Sequence, residues 1–373
     1  MDGSPLVVGI DGRELQGRPT GTGRYLRNLL RRWRATGDTL VVYFSGPPPE
    51  EPALDHPNLV CRSIGDGRER GLVWQQGLLP AAARADRLDV FFSPAYSCPL
   101  ALSVPRVTAV HDLSFFSHAQ DFTLRDAFRR RLLTTLGVGV SRGVLACSEF
   151  TRRELRTRFP AAAHRVSHIP LGPDDDLPPS PSREEARRRL GVSGPYLITV
   201  GAILNRRCLP ELLRAVARLS RRHPGVVLDV VGENRTHPVL DLPGLLASLG
   251  LTEHVRLSGF VEEAGLADRY AAADGGVFLS EYEGFGLPAL EAAARGVPLV
   301  VSRDPSLGEI FGGAALVVAS RDEAAVARAL HRVLSEPGLR ESLVIAGHEL
   351  AGRYSWDRTA ALTRAVFLKA ARE

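Results

Sequence analysis

Two glutamates, Glu283 and Glu291, flank a glycine-rich segment whose residue types could bind an anion. Seven residues separate them, beginning Gly284-Phe285-Gly286-Leu287, and Pro288 suits the first turn of a helix, where the N–H that it lacks would have no partner. First-turn N–H groups are unpaired within their helix and bind anions. Carboxylates beside such a site are better suited to accept hydrogen bonds from hydroxyl groups. The segment predicts a phosphate site with two acceptors for sugar or ribose hydroxyls, although Glu291 taken alone fits a solvated helix N-terminus better.

A second basic segment could bind the same kind of anion. Arg206 and Arg207 lie between a predicted strand, Tyr196–Val200, and a predicted amphipathic helix, Leu209–Arg222, with Gly201 at the strand end. A strand, a glycine, a cationic pair and a helix N-terminus together favour phosphate through charge-assisted hydrogen bonds. The alternative interpretation is a basic pair on the surface.

An ionisable pair, His111 and Asp112, follows the predicted strand Val104–Val110. Doubly wound sheets bind ligands beyond the carboxyl ends of their strands, which is where this pair is expected. A histidine at such a place is otherwise a turn residue that hydrogen-bonds to the backbone.

The N-terminal segment resembles a dinucleotide site only in part. A predicted strand, Leu6–Ile10, is followed by a glycine-rich loop over Asp11–Thr22 and then by a predicted helix, Tyr25–Trp33. The third glycine of the nicotinamide pattern is absent, because Leu26 occupies its place. The sequence therefore disfavours a nicotinamide enzyme.

Strands and helices alternate in both halves of the chain, which predicts an α/β protein with two Rossmann-like, doubly wound parallel sheets. We predict an N-terminal domain over 1–172, a linker over 173–194, a second domain over 195–355 and a final helix over 356–373 that returns to the first domain. Asp174-Asp175-Asp176 lies in the Pro-rich linker, so we interpret it as a solvated charge run and not as a metal site.

Composition favours a cytoplasmic protein with anionic partners. The 373 residues carry a net charge of +5 and a pI near 9.3. No apolar run has the length of a membrane span, and no signal peptide is evident. The four scattered cysteines predict neither a disulfide framework nor a zinc site.

The predicted helix over 122–139 bears Arg125, Arg129, Arg130 and Arg131. These arginines fit a solvated helix, and the alternative is a basic face for an anionic membrane surface.

The pattern from Glu283 to Glu291 resembles the E-x7-E signature of the family-4 retaining glycosyltransferases, which have the GT-B fold with two Rossmann-like domains facing across a cleft. Thr20-Gly-Thr-Gly-Arg-Tyr25 and His111-Asp112-Leu113 are also similar to that family. Where relatives carry Arg-Lys-Asn, this chain has Arg206-Arg207-Cys208, so the resemblance implies that Arg207 replaces the lysine that binds the donor diphosphate.

The resemblance also implies a role for each candidate residue. The catalytic residues implied are His111, which orients the donor sugar, Glu283, which holds its hydroxyls, and Arg207. The residues implied for the donor diphosphate are Arg206, Arg207, Gly284, Phe285, Gly286 and Leu287. Glu291 is implied for the ribose, and Gly259 and Val261 for the base. The residues implied for the acceptor side are Gly21, Thr22, Gly23, Arg24 and Asp112.

The predicted function is transfer of a sugar from a nucleotide-diphosphate sugar to an acceptor hydroxyl, with retention and without a metal or cofactor. The acceptor is a cell-envelope glycan or lipid, with peripheral contact to the inner membrane surface, or a natural-product aglycone. A sugar-nucleotide epimerase or phosphorylase of the same fold is the enzymatic alternative. A basic nucleic-acid-binding protein would explain the pI but not the two glutamates beside a phosphate site, so no nucleic-acid partner is predicted.

Overall fold

The computed structural model describes residues 4–17, 20–33, 36–67, 71–174 and 178–372. The chain forms two compact units: residues 1–117, 124–171 and 355–373 in the first, and 118–123 and 172–354 in the second. Asp175 and Asp176 of the acidic run lie outside the described residues.

The first unit contains a seven-stranded parallel sheet. Its strands are β1 (Val7–Asp11), β2 (Thr39–Phe44), β3 (Leu59–Ser63), β4 (Val90–Ser93), β5 (Arg106–Val110), β6 (Gly143–Ala146) and β7 (Val166–His168). They are ordered β3-β2-β1-β4-β5-β6-β7. All four residues of β4 are buried, as expected for a central strand that helices cover on both faces.

The helices of the first unit cover this sheet. They are α1 (Gly21–Trp33), α2 (Leu79–Ala83), α3 (Ser114–Ser117), α4 (Leu124–Val140) and α5 (Glu149–Arg158). A long C-terminal helix in the same unit, named α14 in chain order, spans Trp356–Arg372 and packs against α1 and against β4, β5 and β6.

The second unit contains a six-stranded parallel sheet. Its strands are β8 (Tyr196–Val200), β9 (Val227–Val231), β10 (Val255–Gly259), β11 (Gly275–Phe278), β12 (Leu299–Ser302) and β13 (Ala315–Val318). They are ordered β10-β9-β8-β11-β12-β13.

Eight helices named in chain order complete the described part of the second unit. They are α6 (Arg183–Leu190), α7 (Leu209–Ser220), α8 (Leu242–Leu249), α9 (Glu263–Ala272), α10 (Leu287–Ala294), α11 (Pro305–Phe311), α12 (Glu323–Ser335) and α13 (Pro337–Ala351). Buried leucines and valines of β8, β9, α7 and α12 form its main core, because these elements place apolar side chains between the sheet and the helices on one face.

Each sheet reverses its strand order at one point. In the first sheet the reversal lies between β1 and β4, and in the second it lies between β8 and β11. At such a point the loops after the two strands diverge to opposite faces and leave a crevice beyond the strand ends. Each reversal is therefore a place where a ligand cavity is expected.

The start of α1 differs from the sequence prediction. The helix begins at Gly21, because the Thr20 hydroxyl accepts a hydrogen bond from the Gly23 N–H at 2.9 Å and caps the helix there. Further along the chain, a π-helical turn, Trp74–Leu78, is followed by the short α2. Pro80 supplies no N–H and so cannot complete the regular α-helical pattern at this place.

Among the residues that the structure describes, no helix is both long enough and apolar enough to cross a membrane.

Candidate functional site

The turn after β8 holds Arg207 against the backbone. Gly201 has φ +125°, a conformation that L side chains rarely adopt, and a Cβ atom there would lie 1.9 Å from Nη1 of Arg207. Gly232, after β9, has φ +147°, and a Cβ on it would lie 2.1 Å from the Gly201 carbonyl oxygen. The two glycines thus let the turns after β8 and β9 and the Arg207 guanidinium pack together beyond the carboxyl ends of these strands.

Arg206 and Arg207 belong to a 3-10 turn, Asn205–Arg207, that precedes α7. The Arg206 carbonyl accepts hydrogen bonds from the Glu281 N–H at 2.8 Å and from the Ser280 hydroxyl at 3.2 Å. The turn after β8 is therefore tied to the loop after β11, as the strand reversal allows.

Cys208 follows with φ 48°, in the left-handed region that asparagine enters more readily than most residues. Its thiol is buried in the second-unit core, and burial raises its pKa to about 11. The backbone conformation at Cys208 is therefore one that asparagine, the residue that the family resemblance implies at this position, would adopt readily.

Arg207 and Glu283 form an ion pair. Nη2 of Arg207 donates to the Glu283 carboxylate, at 3.2 Å from Oε2 and 3.3 Å from Oε1. Both side chains are largely buried, so the pair is less screened by solvent than a surface pair. Two residues that the sequence places 76 positions apart are thus brought into contact.

The loop that carries Glu283 is fixed by hydrogen bonds from the next strand end. The Glu283 N–H donates to Asp304 Oδ2 at 3.1 Å, and the Ser280 N–H donates to Ser302 Oγ at 2.9 Å. Asp304 also caps α11 by accepting from the Ser306 N–H at 2.9 Å. Burial raises the pKa of the Asp304 carboxyl, and its hydrogen bonds with Ser306 and Leu307 oppose that rise.

Gly286 sets the start of α10. It has φ +89°, and a Cβ there would come within 2.4 Å of the Leu307 side chain. Pro288 is the second residue of the helix, within the first turn as the sequence predicts. The helix start is therefore built for close packing.

An open cavity, of about 530 Å³ when the adjoining open solvent is included, lies at the reversal between β8 and β11, and we name it the C-terminal cavity. It is lined by Thr199, Val200, Gly201, Ala202, Ile203, Arg207, Leu209, Leu212, Val230, Phe278, Leu279, Ser280, Glu283, Gly286, Pro288, Ala289 and Leu307. One cation, Arg207, and one carboxylate, Glu283, occur among these side chains. Such a cavity suits a ligand with an anionic group next to hydroxyl groups.

Several predicted donor residues do not line this cavity. Glu291 is only 1% exposed in the middle of α10. Phe285 is buried, with its ring 5.7 Å from that of Tyr354 in an edge-on arrangement, so its side chain belongs to the core. Gly284 is buried beside it, and Leu287 is half-buried at the first position of α10. The structure thus brings Arg207, Glu283 and Gly286 together in one cavity and leaves the second glutamate inside the protein.

The predicted base-contacting residues follow an edge strand. Gly259 ends β10 with φ +61°, and open space surrounds the position that its Cβ would take. Val261 is half-buried and packs close to Gly265. β9 separates β10 from β8, so these residues stand two strands further from the reversal than Gly201 does.

His111 lies in the first unit, after β5. Its Nε2 is 2.9 Å from the Pro94 carbonyl oxygen, which can only accept, so Nε2 carries the proton. Burial lowers the pKa of His111, against the smaller opposing effects of Pro94 and Asp112. The Tyr25 ring stands edge-on to the imidazole, with 4.6 Å between the ring centres. The histidine is therefore a neutral, oriented ring whose Nδ1 is an acceptor.

Asp112 has a structural contact that the sequence interpretation omits. Its Oδ1 accepts from the Ser114 N–H at 3.0 Å and from the Ser114 hydroxyl at 2.7 Å. These bonds cap α3, a role typical of aspartate two residues before a short helix.

The predicted acceptor-side residues form the first turn of α1. Gly21, Thr22, Gly23 and Arg24 are its first four residues, not a free loop. A Cβ on Gly23 would lie 2.4 Å from the Glu14 carbonyl oxygen, so this glycine permits a close approach of the preceding 3-10 turn, Arg13–Leu15.

The sequence prediction missed a second open cavity at the reversal between β1 and β4, which we name the N-terminal cavity; its volume is about 660 Å³ when the adjoining open solvent is included. It is lined by Asp11, Arg13, Glu14, Gly71, Leu72, Gln75, Pro94, Ala95, Tyr96, Ser97, Arg129 and Leu133. The signal available in the sequence was the position of Asp11 just after the predicted strand Leu6–Ile10. The other residues that line the cavity are brought to Asp11 by the strand order, which the sequence does not display.

Contacts fix the charged groups of the N-terminal cavity. Arg13 Nη2 donates to Asp11 Oδ2 at 2.6 Å, and its guanidinium stands 4.7 Å from the centre of the Trp74 ring. Gln75, in the π-helical turn, donates to Asp11 Oδ2 at 3.3 Å. Burial, and next the charge of Asp11, raise the pKa of Glu14. The cavity therefore offers carboxylate oxygens with a largely neutralised net charge.

Among the described residues, no group of three or more histidines, cysteines, aspartates or glutamates is arranged to hold a metal ion.

Comparison with known proteins assigns the chain to a family. Residues 19–177 match the family model described as Glycosyltransferase Family 4, and residues 182–349 match the one described as Glycosyl transferases group 1. The chain is 32% identical over 228 residues to a D-inositol 3-phosphate glycosyltransferase from Nocardiopsis dassonvillei, a match that covers 58% of this chain and 53% of that one. It is 29% identical over 403 residues to a glycogen synthase from Mycobacterium tuberculosis, covering 99% of this chain and 93% of that one.

Solved structures agree on the fold. HepE from Anabaena, in a complex with UDP-glucose, superimposes with a TM-score of 0.76 at 18% identity, covering 96% of this chain and 99% of that one. The chain spans about half the length of the inositol-phosphate relative and nearly all of the glycogen synthase. The two family models, the two Rossmann-like sheets and the likeness to these proteins agree, and the chain belongs to the group 1 glycosyltransferases with the GT-B fold.

Proposed function

We propose that the protein transfers a sugar from a nucleotide-diphosphate sugar to an acceptor hydroxyl, with retention at the anomeric carbon and without a metal ion. The observation that carries the proposal is the position of Arg207 in the C-terminal cavity, over the Gly201 turn and against Glu283. The complex of HepE with UDP-glucose supports this class of donor, and the name of the inositol-phosphate relative supports glycosyl transfer.

Arg207 is the proposed principal contact of the leaving diphosphate. Charge-assisted hydrogen bonds contribute roughly 1.5–3 kcal/mol each, more than the roughly 0.3–1 kcal/mol from the dipole of a helix such as α10. The negative charge on the leaving group increases as the sugar bond breaks, so a fixed cation stabilises the transition state more than the ground state. Arg206 belongs to the same turn but is not among the residues that line the cavity. Arg207 is therefore the fixed cation that we propose in place of a metal ion.

Glu283 is the proposed acceptor for donor hydroxyls. In the free protein its carboxylate is paired with Arg207, so binding a diphosphate sugar exchanges one ion pair for two sets of contacts: phosphate with Arg207, and hydroxyls with Glu283. Glu283 is the one carboxylate among the described side chains that line the cavity, and it is already paired with a cation. That supports a front-face displacement, in which the acceptor oxygen attacks from the side that the diphosphate leaves, without a covalent sugar–enzyme intermediate.

We assign His111 an orienting role. Its Nε2–H is engaged by the Pro94 carbonyl, and the neutral ring leaves Nδ1 as an acceptor for a sugar hydroxyl. A ring held in this way fixes the hydroxyl without taking its proton. We propose that Glu291 binds the ribose. Because its side chain is buried in the free protein, this binding requires the residues around Glu291 to move when the donor binds.

The acceptor class best suited to the N-terminal cavity is a polyhydroxyl compound. Asp11, Glu14 and the Gln75 side chain supply oxygen acceptors for hydroxyl groups, and Arg13 and Arg129 balance the charge. Two of the relatives are named for D-inositol 3-phosphate and for glycogen, both polyhydroxyl compounds, which supports this class.

Isothermal titration calorimetry with UDP, GDP, dTDP and ADP tests the donor assignment. Arg207→Ala should weaken binding of the preferred diphosphate by about 10–100-fold, since it removes one or two charge-assisted bonds. Arg207→Lys should retain part of the affinity, because the charge remains without the fork geometry. Arg332→Ala, an exposed arginine on α12 paired with Glu336, is the matched control. Equal affinity in wild type and Arg207→Ala would contradict the proposal.

Product analysis separates transfer from the alternatives. The preferred donor is incubated with and without a polyol acceptor, and a new glycoside should form only when the acceptor is present. The NMR coupling constant of the anomeric proton in that glycoside should show the same anomeric configuration as in the donor. Isomerisation of the donor alone would indicate an epimerase. Activity should survive a chelator, and a loss that magnesium restores would contradict the metal-free mechanism.

A further inference from the structure

The outward face of α4 is apolar. Ala127, Thr134, Gly137 and Val138 turn inward and are buried. On the other side the exposed large apolar residues recur every four positions: Leu124, Phe128, Leu132, Leu136 and Val140. Side chains at that spacing form a stripe along one side of a helix. Leu124 is 90% exposed and Phe128 68% exposed, so the stripe is not an edge of the core.

The arginines of α4 divide between two environments. Arg131 donates to the Phe115 carbonyl at 2.7 Å and to the Phe116 carbonyl at 3.2 Å, and Arg130 stands 5.1 Å from the centre of the Tyr96 ring. Arg125 is exposed within the apolar stripe, and Arg129 is partly exposed next to it. The helix is therefore not the uniformly solvated basic helix that the sequence predicts, since two arginines bind the protein and two flank an apolar stripe.

The stripe carries little negative charge. Asp126 is the single acidic residue of α4, and its carboxylate is 3.3 Å from Arg129. We name as the α4 surface the exposed residues Leu124, Arg125, Phe128, Leu132 and Leu136. Arg129 and Leu133, on the same helix, line the N-terminal cavity, so the α4 surface adjoins that cavity.

We propose that the α4 surface binds an anionic lipid bilayer, with α4 lying in the plane of the interface. Leucine and phenylalanine side chains enter the boundary between head groups and acyl chains, while the arginines beside them contact lipid phosphates. This pattern of apolar and cationic residues on one exposed face fits an anionic membrane better than a neutral one.

A second copy of the chain is a poorer occupant of this surface. The 17 residues of α4 make a helix about 26 Å long, and one face about 10 Å wide amounts to roughly 260 Å², whereas a stable interface buries about 800 Å² on each partner. Exposed arginines of two copies would also repel each other. A bilayer needs no matching shape and supplies the opposite charge.

Vesicle flotation with the full chain tests the proposal, and its readout does not depend on glycosyl transfer. Vesicles of phosphatidylcholine alone are compared with vesicles that also contain phosphatidylglycerol. Wild type should float with the anionic vesicles, and raising the salt concentration should reduce the bound fraction. The double variant Leu124→Gln/Phe128→Gln should bind at least about tenfold more weakly, because each buried methylene contributes roughly 0.8 kcal/mol. Arg125→Gln should weaken binding selectively on anionic vesicles.

The matched control is Val239→Gln/Ile345→Gln, which removes two exposed apolar side chains, 79% and 54% exposed, from the second unit. It should bind as wild type does. Circular dichroism melting checks that every variant folds. Absence of wild-type flotation, equal binding to neutral and anionic vesicles, or equal loss in the control variant would each overturn the proposal. Light scattering that showed a dimer broken by Leu124→Gln/Phe128→Gln, without vesicle binding, would assign the surface to a second copy instead.

Discussion

Nη2 of Arg207 and Oε2 of Glu283 lie 3.2 Å apart, joining the turn after one strand to the loop after its neighbour in the second sheet. The pair places a cation and a carboxylate in one cavity while each neutralises the other. A ligand with a phosphate therefore competes with Glu283 for Arg207, and the two residues should respond differently to substitution.

Glu283→Gln should strengthen binding of a free nucleoside diphosphate by about fivefold, because a partly buried ion pair worth about 1 kcal/mol no longer competes for Arg207. The same change should lower the transfer rate by about 100-fold, because the sugar hydroxyls lose a charged acceptor. Calorimetry and initial rates measure the two effects. Glu281→Gln, two residues away and paired with Arg321, is the control and should change neither by much. Weaker diphosphate binding in Glu283→Gln would show that the carboxylate does not compete with the ligand.

Gly201→Ala should weaken diphosphate binding about as much as Arg207→Ala does, although glycine offers no side-chain contact. The added Cβ would occupy the position of the Arg207 guanidinium, 1.9 Å away, and displace it. Gly250→Ala is the control, because Gly250 also has a positive φ, +67°, but has open space around the new Cβ. Both variants should lose about 1 kcal/mol or more of stability in urea unfolding, since a positive φ is unfavourable for alanine. Only Gly201→Ala should lose affinity, and a similar loss in both would indicate a general effect of instability.

Activity and stability should both depend on the protonation of His111. Burial lowers the pKa of His111 in the folded protein below the value near 6.5 of an unfolded chain. On acidification, His111 of the unfolded chain therefore binds a proton at a higher pH than His111 of the folded protein. The contribution of the neutral ring to the free energy of unfolding is complete above about pH 6.5 and is lost as the pH falls toward the folded-state pKa. Transfer should fall at a lower pH, as the pH passes through the folded-state pKa of His111, because protonated Nδ1 no longer accepts a hydroxyl.

His111→Gln retains an N–H for the Pro94 carbonyl but does not titrate. Its melting temperature should fall less than that of wild type between pH 7.5 and about pH 5.5, and the acid limb of its rate profile should be shallower. Parallel pH profiles in the two proteins would exclude His111 as the source of the dependence.

The ion pair between Asp38 and Arg364 should anchor the C-terminal helix within the first unit. Burial alone would raise the pKa of Asp38. Its carboxylate, however, accepts two hydrogen bonds of 2.8 Å from Arg364, and further hydrogen bonds from the Leu6 N–H and the Trp33 indole. These contacts together hold the pKa of Asp38 below its usual range. Arg364→Ala leaves a buried carboxylate without its cation and should destabilise the protein by about 3 kcal/mol in urea unfolding.

Arg358→Ala, an exposed arginine on the same helix, should change stability by less than about 0.5 kcal/mol. The contribution of Asp38 is complete above the unfolded carboxyl pKa near 3.9 and is lost as the pH falls through the lower folded-state value. The stability gap between wild type and Arg364→Ala should therefore narrow in strong acid, and a gap that widens there would contradict the assignment.

The loops that carry Arg207 and Glu283 could be predicted from the sequence, because each follows a short apolar run and ends in a glycine or proline that marks a helix start. Their mutual approach depended on β8 and β11 being neighbours, although β9 and β10 separate them along the chain. The fold class could be predicted, since alternating strands and helices have few compact arrangements.

Side-chain direction could not be predicted in the same way. Glu291 has the spacing of a ligand-binding residue, yet it is buried, because its direction depends on how α10 rotates against the sheet. Asp112 follows a strand end, yet it caps α3. On α4 the four arginines gave no sign of which would turn inward, because Arg130 and Arg131 found partners on the neighbouring segments that contain Tyr96 and Phe115.

Local pattern by itself determined the alternation of strands and helices, the glycine turns and the residue types available for phosphate and hydroxyl binding. These properties depend on backbone preferences and on contacts between residues close in the chain. Only the tertiary structure decided that Arg207 pairs with Glu283, that Asp11 and Gln75 share a second cavity, and that α4 leaves an apolar face exposed. Strand order and helix rotation arise from burying all apolar faces at once, and that cooperative packing is a property of the whole chain.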